Sequence, residues 1–204
     1  MAAGRPREFD PDEALDRALE VFWHRGYEGA SLPELTKAMG INRPSMYATF
    51  GNKEALFRKA MDRYAEGPAA YVRAALERPV AREAIEQILA GTVALLSDPT
   101  HPKGCFAVQG ALACGEASEG IQKDLADRRM AGLEAVRKRL ERAKSEGDLP
   151  DDLDPENLAR FLMTIMHGLA VQAAGGATRQ QMEQVVKLVM MVWPKNVKRP
   201  DRKN

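Results

Sequence analysis

Apolar residues recur along this chain every three or four positions, the spacing of one helix face, and no stretch alternates as a half-buried strand would. Asp10-Pro11-Asp12-Glu13 reads as a capping box with Pro in the first turn, opening a helix whose stripe is Ala14, Leu15, Ala18, Leu19, Phe22 and Trp23. That helix is expected to end near Arg25, with Gly26 as its C-cap. Two short helices follow at about 32–39 and 43–50, and a fourth runs from an Asn52 cap to about Glu66, where Gly67-Pro68 interrupts it. Further helices are predicted over about 69–77 and 80–97, the latter with the stripe Ile85, Ile88, Leu89, Val93 and Leu96. After a loop at 98–104 come a short apolar helix (about 105–115) and a long one (about 118–146) with the stripe Ile121, Leu125, Met130, Leu133, Val136 and Leu140. Asp154-Pro155 starts a helix to about 174, and Thr178 to Gln181 caps the last, ending near 193. The fold class is therefore all-α.

Residues 31–54 carry the most specific pattern. Ser31 caps the second helix, with Glu34 placed to complete the box, and Gly40 supplies the sharp turn into the third. Leu35, Met39, Ile41 and Met46 are spaced to share one small core. Asn42 caps the third helix, whose outer side shows Arg43, Ser45, Tyr47, Ala48 and Thr49. Short polar and aromatic side chains on an exposed helix after such a turn form a helix-turn-helix, which makes double-stranded DNA the expected partner.

With Gly40-Ile41, Tyr47 to Phe50, Lys53-Glu54-Ala55-Leu56 and the first-helix run to Arg25-Gly26-Tyr27, the chain resembles the tetracycline-repressor (TetR/AcrR) family of transcription regulators. Thr36 stands where a small Ala is usual, and Ala48-Thr49 where an aromatic and a His are common. The resemblance covers roughly the first 65 residues in motif and the rest in length and helical character. It implies a three-helix DNA-binding head, residues 1–52 with its N-terminal arm, joined by a linking helix (53–66) to a helical effector-binding and dimerisation body, the whole body being 53–194. The polar segment 195–204 is expected to be a disordered tail.

Composition narrows this further. The net charge of +1 is neutral on nucleic acid, and residues 1–66 carry ten Lys and Arg against eleven Asp and Glu. Placement matters more: Arg5, Arg7, Arg43 and Lys53 lie in or beside the segments that would face DNA, while Asp12, Glu13, Asp16 and Glu20 belong to the first helix. No apolar run is long enough to span a membrane and no apolar leader opens the chain, so a cytoplasmic protein is expected. Two cysteines make no disulfide framework. The three histidines, His24, His101 and His167, are scattered without metal-ligand spacing, and there is no phosphate loop or nucleophile elbow. Neither an enzyme, a metal site nor a cofactor is expected.

Each candidate site follows from side-chain chemistry set on that frame. A dimer would place two recognition helices in successive major grooves, about 34–36 Å apart, on a near-palindromic operator. Arg43 has the fork to read guanine, Pro44 can touch a thymine methyl, Ser45 and Thr49 can bond a base or phosphate, and Tyr47, Ser31 and Lys53 suit phosphates. Arg5 and Arg7 form a candidate minor-groove arm. The last two helices are apolar on more than one face, and the resemblance implies a homodimer through Leu162, Ile165, Leu169, Val185, Leu188, Val189, Val192 and Trp193.

It also implies a small-molecule effector that releases DNA. Candidates for its wall are Cys105, Gln109, Met130, Met163, Met166 and His167. Repression is expected over activation, since a bound dimer occludes polymerase. Cys105, after Lys103-Gly104 at a helix start, suggests an alternative in which its thiol senses electrophiles or oxidants; Cys114 reads as core. A helical interaction protein that makes no use of DNA is the remaining alternative, and acidic residues in place of Arg43 and Lys53 would have favoured it.

Overall fold

The helix starts are written by their caps. In the computed structural model, which describes residues 9–109 and 119–194, Asp10 accepts from the Asp12 amide at 2.8 Å and opens α1 (Pro11–Gly29). Ser31 Oγ accepts from the Glu34 amide at 3.3 Å and opens α2 (Leu32–Met39). Asn42 and Asn52 each accept at 2.8 Å, from the Ser45 and Ala55 amides, opening α3 (Arg43–Phe50) and α4 (Lys53–Glu66). The acids meant to complete the first two boxes turn elsewhere: Glu13 pairs with Arg17 and Glu34 with Arg25. The box at Thr178 is complete, since Gln181 Oε1 accepts from the Thr178 amide at 2.8 Å. Gly26 leaves helical geometry at φ 68°, but helical turns resume after it, so α1 continues to Gly29, past its expected end near Arg25.

The remaining elements are α5 (Tyr71–Leu76), α6 (Ala81–Ser97), α7 (Phe106–Gln109), α8 (Glu119–Ser145), α9 (Pro155–Ala174) and α10 (Arg179–Val192). Among the described residues there is no strand, and no helix is long and apolar enough to cross a membrane. The C-terminal part of the expected 105–115 helix, with Cys114, lies outside the described residues, as do Arg5, Arg7 and the tail from 195.

Head and body share a core. Phe22, Phe57 and Phe106 stack edge to face in series, at 5.0 Å and 5.2 Å between ring centroids, carrying the head's aromatic cluster into α7. Ile121 and Leu125 of α8 close the same cluster. Trp23 Nε1 donates to the Gly104 carbonyl at 2.9 Å from within that buried junction. α4 is fastened on two sides: Arg63 grips Asp16 of α1 with two bonds, at 2.7 Å and 2.9 Å, while Arg58–Asp124 and Asp62–Arg128 tie it to α8 at 2.5 Å and 2.6 Å. A second core joins α6, α8, α9 and α10 around Ile85, Ile88, Leu140 and Leu162.

Candidate nucleic-acid interface and body cavity

The helix-turn-helix is built from its turn outward. Gly40 sits at φ 70°, a left-handed position that a side chain would strain, and the amides of Gly40 and Ile41 donate to the last carbonyls of α2. Leu35, Met39 and Met46 are buried between the two helices, with Ile41 packed at the edge. Thr36, also buried, satisfies its own hydroxyl on the Leu32 carbonyl at 2.9 Å, so the larger residue fits without an orphaned polar group.

What α3 leaves outside is Arg43, Pro44, Tyr47 and Ala48, with Ser45 and Thr49 half-buried beside them. Tyr47 is 47% exposed, so it is not packed under Phe50. Lys53 Nζ lies 4.4 Å above the Tyr27 ring, which props the ammonium at the start of α4. From Lys37 to Lys53 the chain carries three cations (Lys37, Arg43, Lys53) and no acid. Among the acids of α1, Asp12 and Asp16 are turned to Arg63 on α4. This surface is cationic within a head that is not, and its exposed donors suit phosphates and base edges. Lys37, exposed in the last turn of α2, adds a cation to this segment that the sequence-based set of the arm, α3 and the helix starts does not include.

The body holds a cavity of about 460 Å³ between α4, α5, α6, α8 and α9. That is within the usual range for small-molecule sites. Met163, Met166, His167 and Cys105 all reach its wall. Gln109 does not; its amide lies against Gly104 and lines a separate cleft beside Arg25 and Glu28. Met130 does not either, being 55% exposed. One helical turn on from Leu125 is residue 129, not 130, so Arg129 takes the inward position and Met130 points out.

Two polar pairs sit on the cavity wall. Tyr71 and Thr92 hydroxyls meet at 3.0 Å, and burial pushes the Tyr71 phenol up to about 12. The Tyr71 ring closes directly over Gly91, where a Cβ would stand 2.3 Å from the ring. Tyr64 OH meets Cys105 Sγ at 3.2 Å, and burial drives that phenol's pKa far upward. Burial, reinforced by the nearby Arg129 charge, lowers the pKa of His167 and favours its neutral form. Lys103, expected to act on Cys105, is exposed and lines the other cleft, and α7 is a single turn, too short for a substantial dipole.

The expected dimer set divides. Leu162, Leu169, Val189 and Trp193 are buried within the chain's own core, and Ile165 is partly buried against it. Val185, Leu188 and Val192 are exposed, and Met191, Phe161 and Val171, which the expected set left out, are exposed with them. The reason is geometric. α10 carries two apolar stripes of the same helical spacing: Met182, Val186, Val189 and Trp193 face in, while Val185, Leu188 and Val192 face out.

Comparison with known proteins bears directly on this arrangement. Residues 14–60 match the family model described as bacterial regulatory proteins of the tetR family, and residues 79–189 match the tetracyclin repressor-like C-terminal domain. The HTH-type transcriptional repressor ComR of Escherichia coli K12 is 34% identical over 197 residues, covering 96% of this chain and 94% of that protein. The uncharacterized HTH-type transcriptional regulator YezE of Bacillus subtilis 168 is 41% identical over 162 residues, covering 78% of this chain and 83% of that protein. Among solved structures, a cysteine mutant of the TetR family regulator CifR in complex with 26-base-pair operator DNA superposes with a TM-score of 0.89 at 43% identity, covering 93% of this chain and all of that one.

Proposed function

This chain belongs to the tetR family of bacterial regulatory proteins, and from that premise we propose that it is a transcriptional repressor. It binds a near-palindromic operator as a homodimer, acts in the cytoplasm and lets go when a small molecule fills the body cavity. Proteins of this family are DNA-binding regulators, not enzymes. The observation that carries the reading is the acid-free outer surface from Lys37 to Lys53, with Arg43 and Tyr47 exposed on a capped recognition helix. Arg43 reads a guanine; Ser31, Ser45, Tyr47, Thr49 and Lys53 hold phosphates or neighbouring base edges. The open apolar face of Phe161, Val185, Leu188, Met191 and Val192 supports self-association, since a monomer rarely leaves such a patch bare. The head is residues 1–52, and α4 carries the signal from the body. Release requires a ligand that prefers the DNA-free arrangement; one that binds both states equally shifts nothing.

A second reading has its own observation. Cys105 sits on the cavity wall against Tyr64, so a modified thiol there would itself fill the effector site. Mass spectrometry after a brief iodoacetamide pulse on the native protein tests it: an unlabelled Cys105 removes the sensor. For the main reading, the protein is incubated with fragmented genomic DNA of its source and the retained fragments are sequenced. A recurring palindrome near promoters is expected. A folded dimer that enriches nothing at low salt overturns operator binding.

A further inference from the structure

We propose that the body cavity takes a monoanionic amphiphile, a small carboxylic acid with an apolar body, whose carboxylate is held by Arg129 with Arg128 beside it. The proposal rests on reading this cavity as the effector site.

The wall is charged with one sign. Arg73, Arg128 and Arg129 line the cavity, and among the described residues no Asp or Glu does. Arg128 already has a counter-ion, Asp62 of α4 at 2.6 Å. Among the described residues Arg129 has none, and its bond runs from Nη1 to a neutral carbonyl, Ala107 O, at 3.3 Å. It stands at a stripe position of α8, four residues from both Leu125 and Leu133, where an apolar residue would be expected. A half-buried guanidinium aimed at an apolar cavity without a carboxylate is costly unless something supplies the anion.

The other polar groups do not want charge. Tyr71 with Thr92 and Tyr64 with Cys105 are mutually bonded pairs, and a cationic ligand would find no counter-charge among the described residues of the wall. His167 on the same wall offers a ring N–H that can donate to the same carboxylate. The rest of the wall is apolar, with Met61, Leu95, Leu96, Val136 and Met163, so the ligand must bring an apolar body. At roughly 30 Å³ per water-sized unit, a cavity of about 460 Å³ holds a ligand of about fifteen non-hydrogen atoms.

The same geometry couples the ligand to the head. An anion that draws on Arg128 competes with Asp62, and that ion pair is one of the two that join α4 to α8 among the described residues. The acid therefore gains most in the arrangement where α4 has let go.

The test is calorimetric titration of the full-length protein with octanoate, phenylbutanoate and naphthoate, each against its primary amide. At least one acid should bind about tenfold or more tightly than its amide, the increment of a charge-assisted pair. Arg129→Gln should abolish that preference and leave amide affinity nearly unchanged, while Arg129→Lys should keep part of it. Acids that bind no better than amides, acids that fail to bind at millimolar concentration, or a preference that survives Arg129→Gln would each overturn the proposal. Should Arg129→Gln not fold, the acid-to-amide ratio on the parent protein decides. Operator binding followed in the same titrations separates the two readings. An acid bound through Arg129 that leaves the operator complex intact supports the site and sinks the effector role. Release by the amides alone supports the effector role and sinks the anion.

Discussion

The recognition helix and the last helix are built alike and finished differently. α3 and α10 each bury one face, Met46 and Phe50 in the first, Met182, Val189 and Met190 in the second. Each leaves the opposite face open. On α3 that face is Arg43, Pro44 and Tyr47; on α10 it is Val185, Leu188, Met191 and Val192. An open face rich in donors suits a partner rich in acceptors, and an open face of methyl groups suits a partner equally dry. The same helical grammar thus serves two different kinds of recognition, and the composition of the outer stripe decides which.

The largest effect should come from exchanging neighbours on α10. Val189 is 4% exposed and Leu188 is 63% exposed. Val189→Glu buries an unpaired carboxylate and should cost several kcal/mol of stability, seen as a collapse in the thermal melt. Leu188→Glu should leave the fold intact and give monomers by light scattering. An unchanged dimer would place the interface elsewhere, and comparable melting losses from both variants would deny that the two stripes differ.

The next effect belongs to α3. Arg43→Ala should weaken operator binding by about 1–3 kcal/mol and relax base preference at one position per half-site, measured on a set of singly substituted operators. Equal loss on every sequence would make Arg43 a phosphate contact. Smaller still, Lys53→Ala should weaken binding on all sequences alike and lower the salt slope by about one per head. An unchanged slope would leave Lys53 as no more than a cover on Tyr27.

The smallest is a dependence on pH from the body. Because the folded state holds His167 below its ordinary value of 6.5, the unfolded chain takes up its proton first as pH falls. Stability should therefore be level above neutrality and decline as pH drops through and below 6.5. His167→Gln should flatten that part of the profile in a series of chemical denaturations, and a parent protein with no decline there would contradict the assignment.

These two faces were not equally legible in the sequence. Caps, glycine turns and stripes placed α2, α3 and α4 at their observed bounds, because short capped helices declare both ends. The outer residues of α3 followed directly, since only one side of that helix is apolar. On α10 two apolar stripes share one period, and periodicity cannot say which faces inward; Val189 and Trp193 went to the wrong side for that reason. The cavity was half visible. Met163, Met166 and His167, chosen for their residue types, do line it, while Arg129 stands at the inward position that the apolar stripe assigns to Met130. Tyr64, Tyr71 and Thr92 gave no signal, because their meeting with α7 and with each other depends on how α4, α5 and α6 cross.

The bond from Trp23 to Gly104 has an optical consequence. The chain has two tryptophans, one clasped at the junction of head and body and the other, Trp193, beneath the far end of the last helix. With Trp193 replaced by Phe, every photon of indole fluorescence would come from that junction. Its colour would then report whether the indole still lies in its dry aromatic setting or has been opened to water, turning one hydrogen bond into a real-time gauge of how the two halves of the molecule sit together.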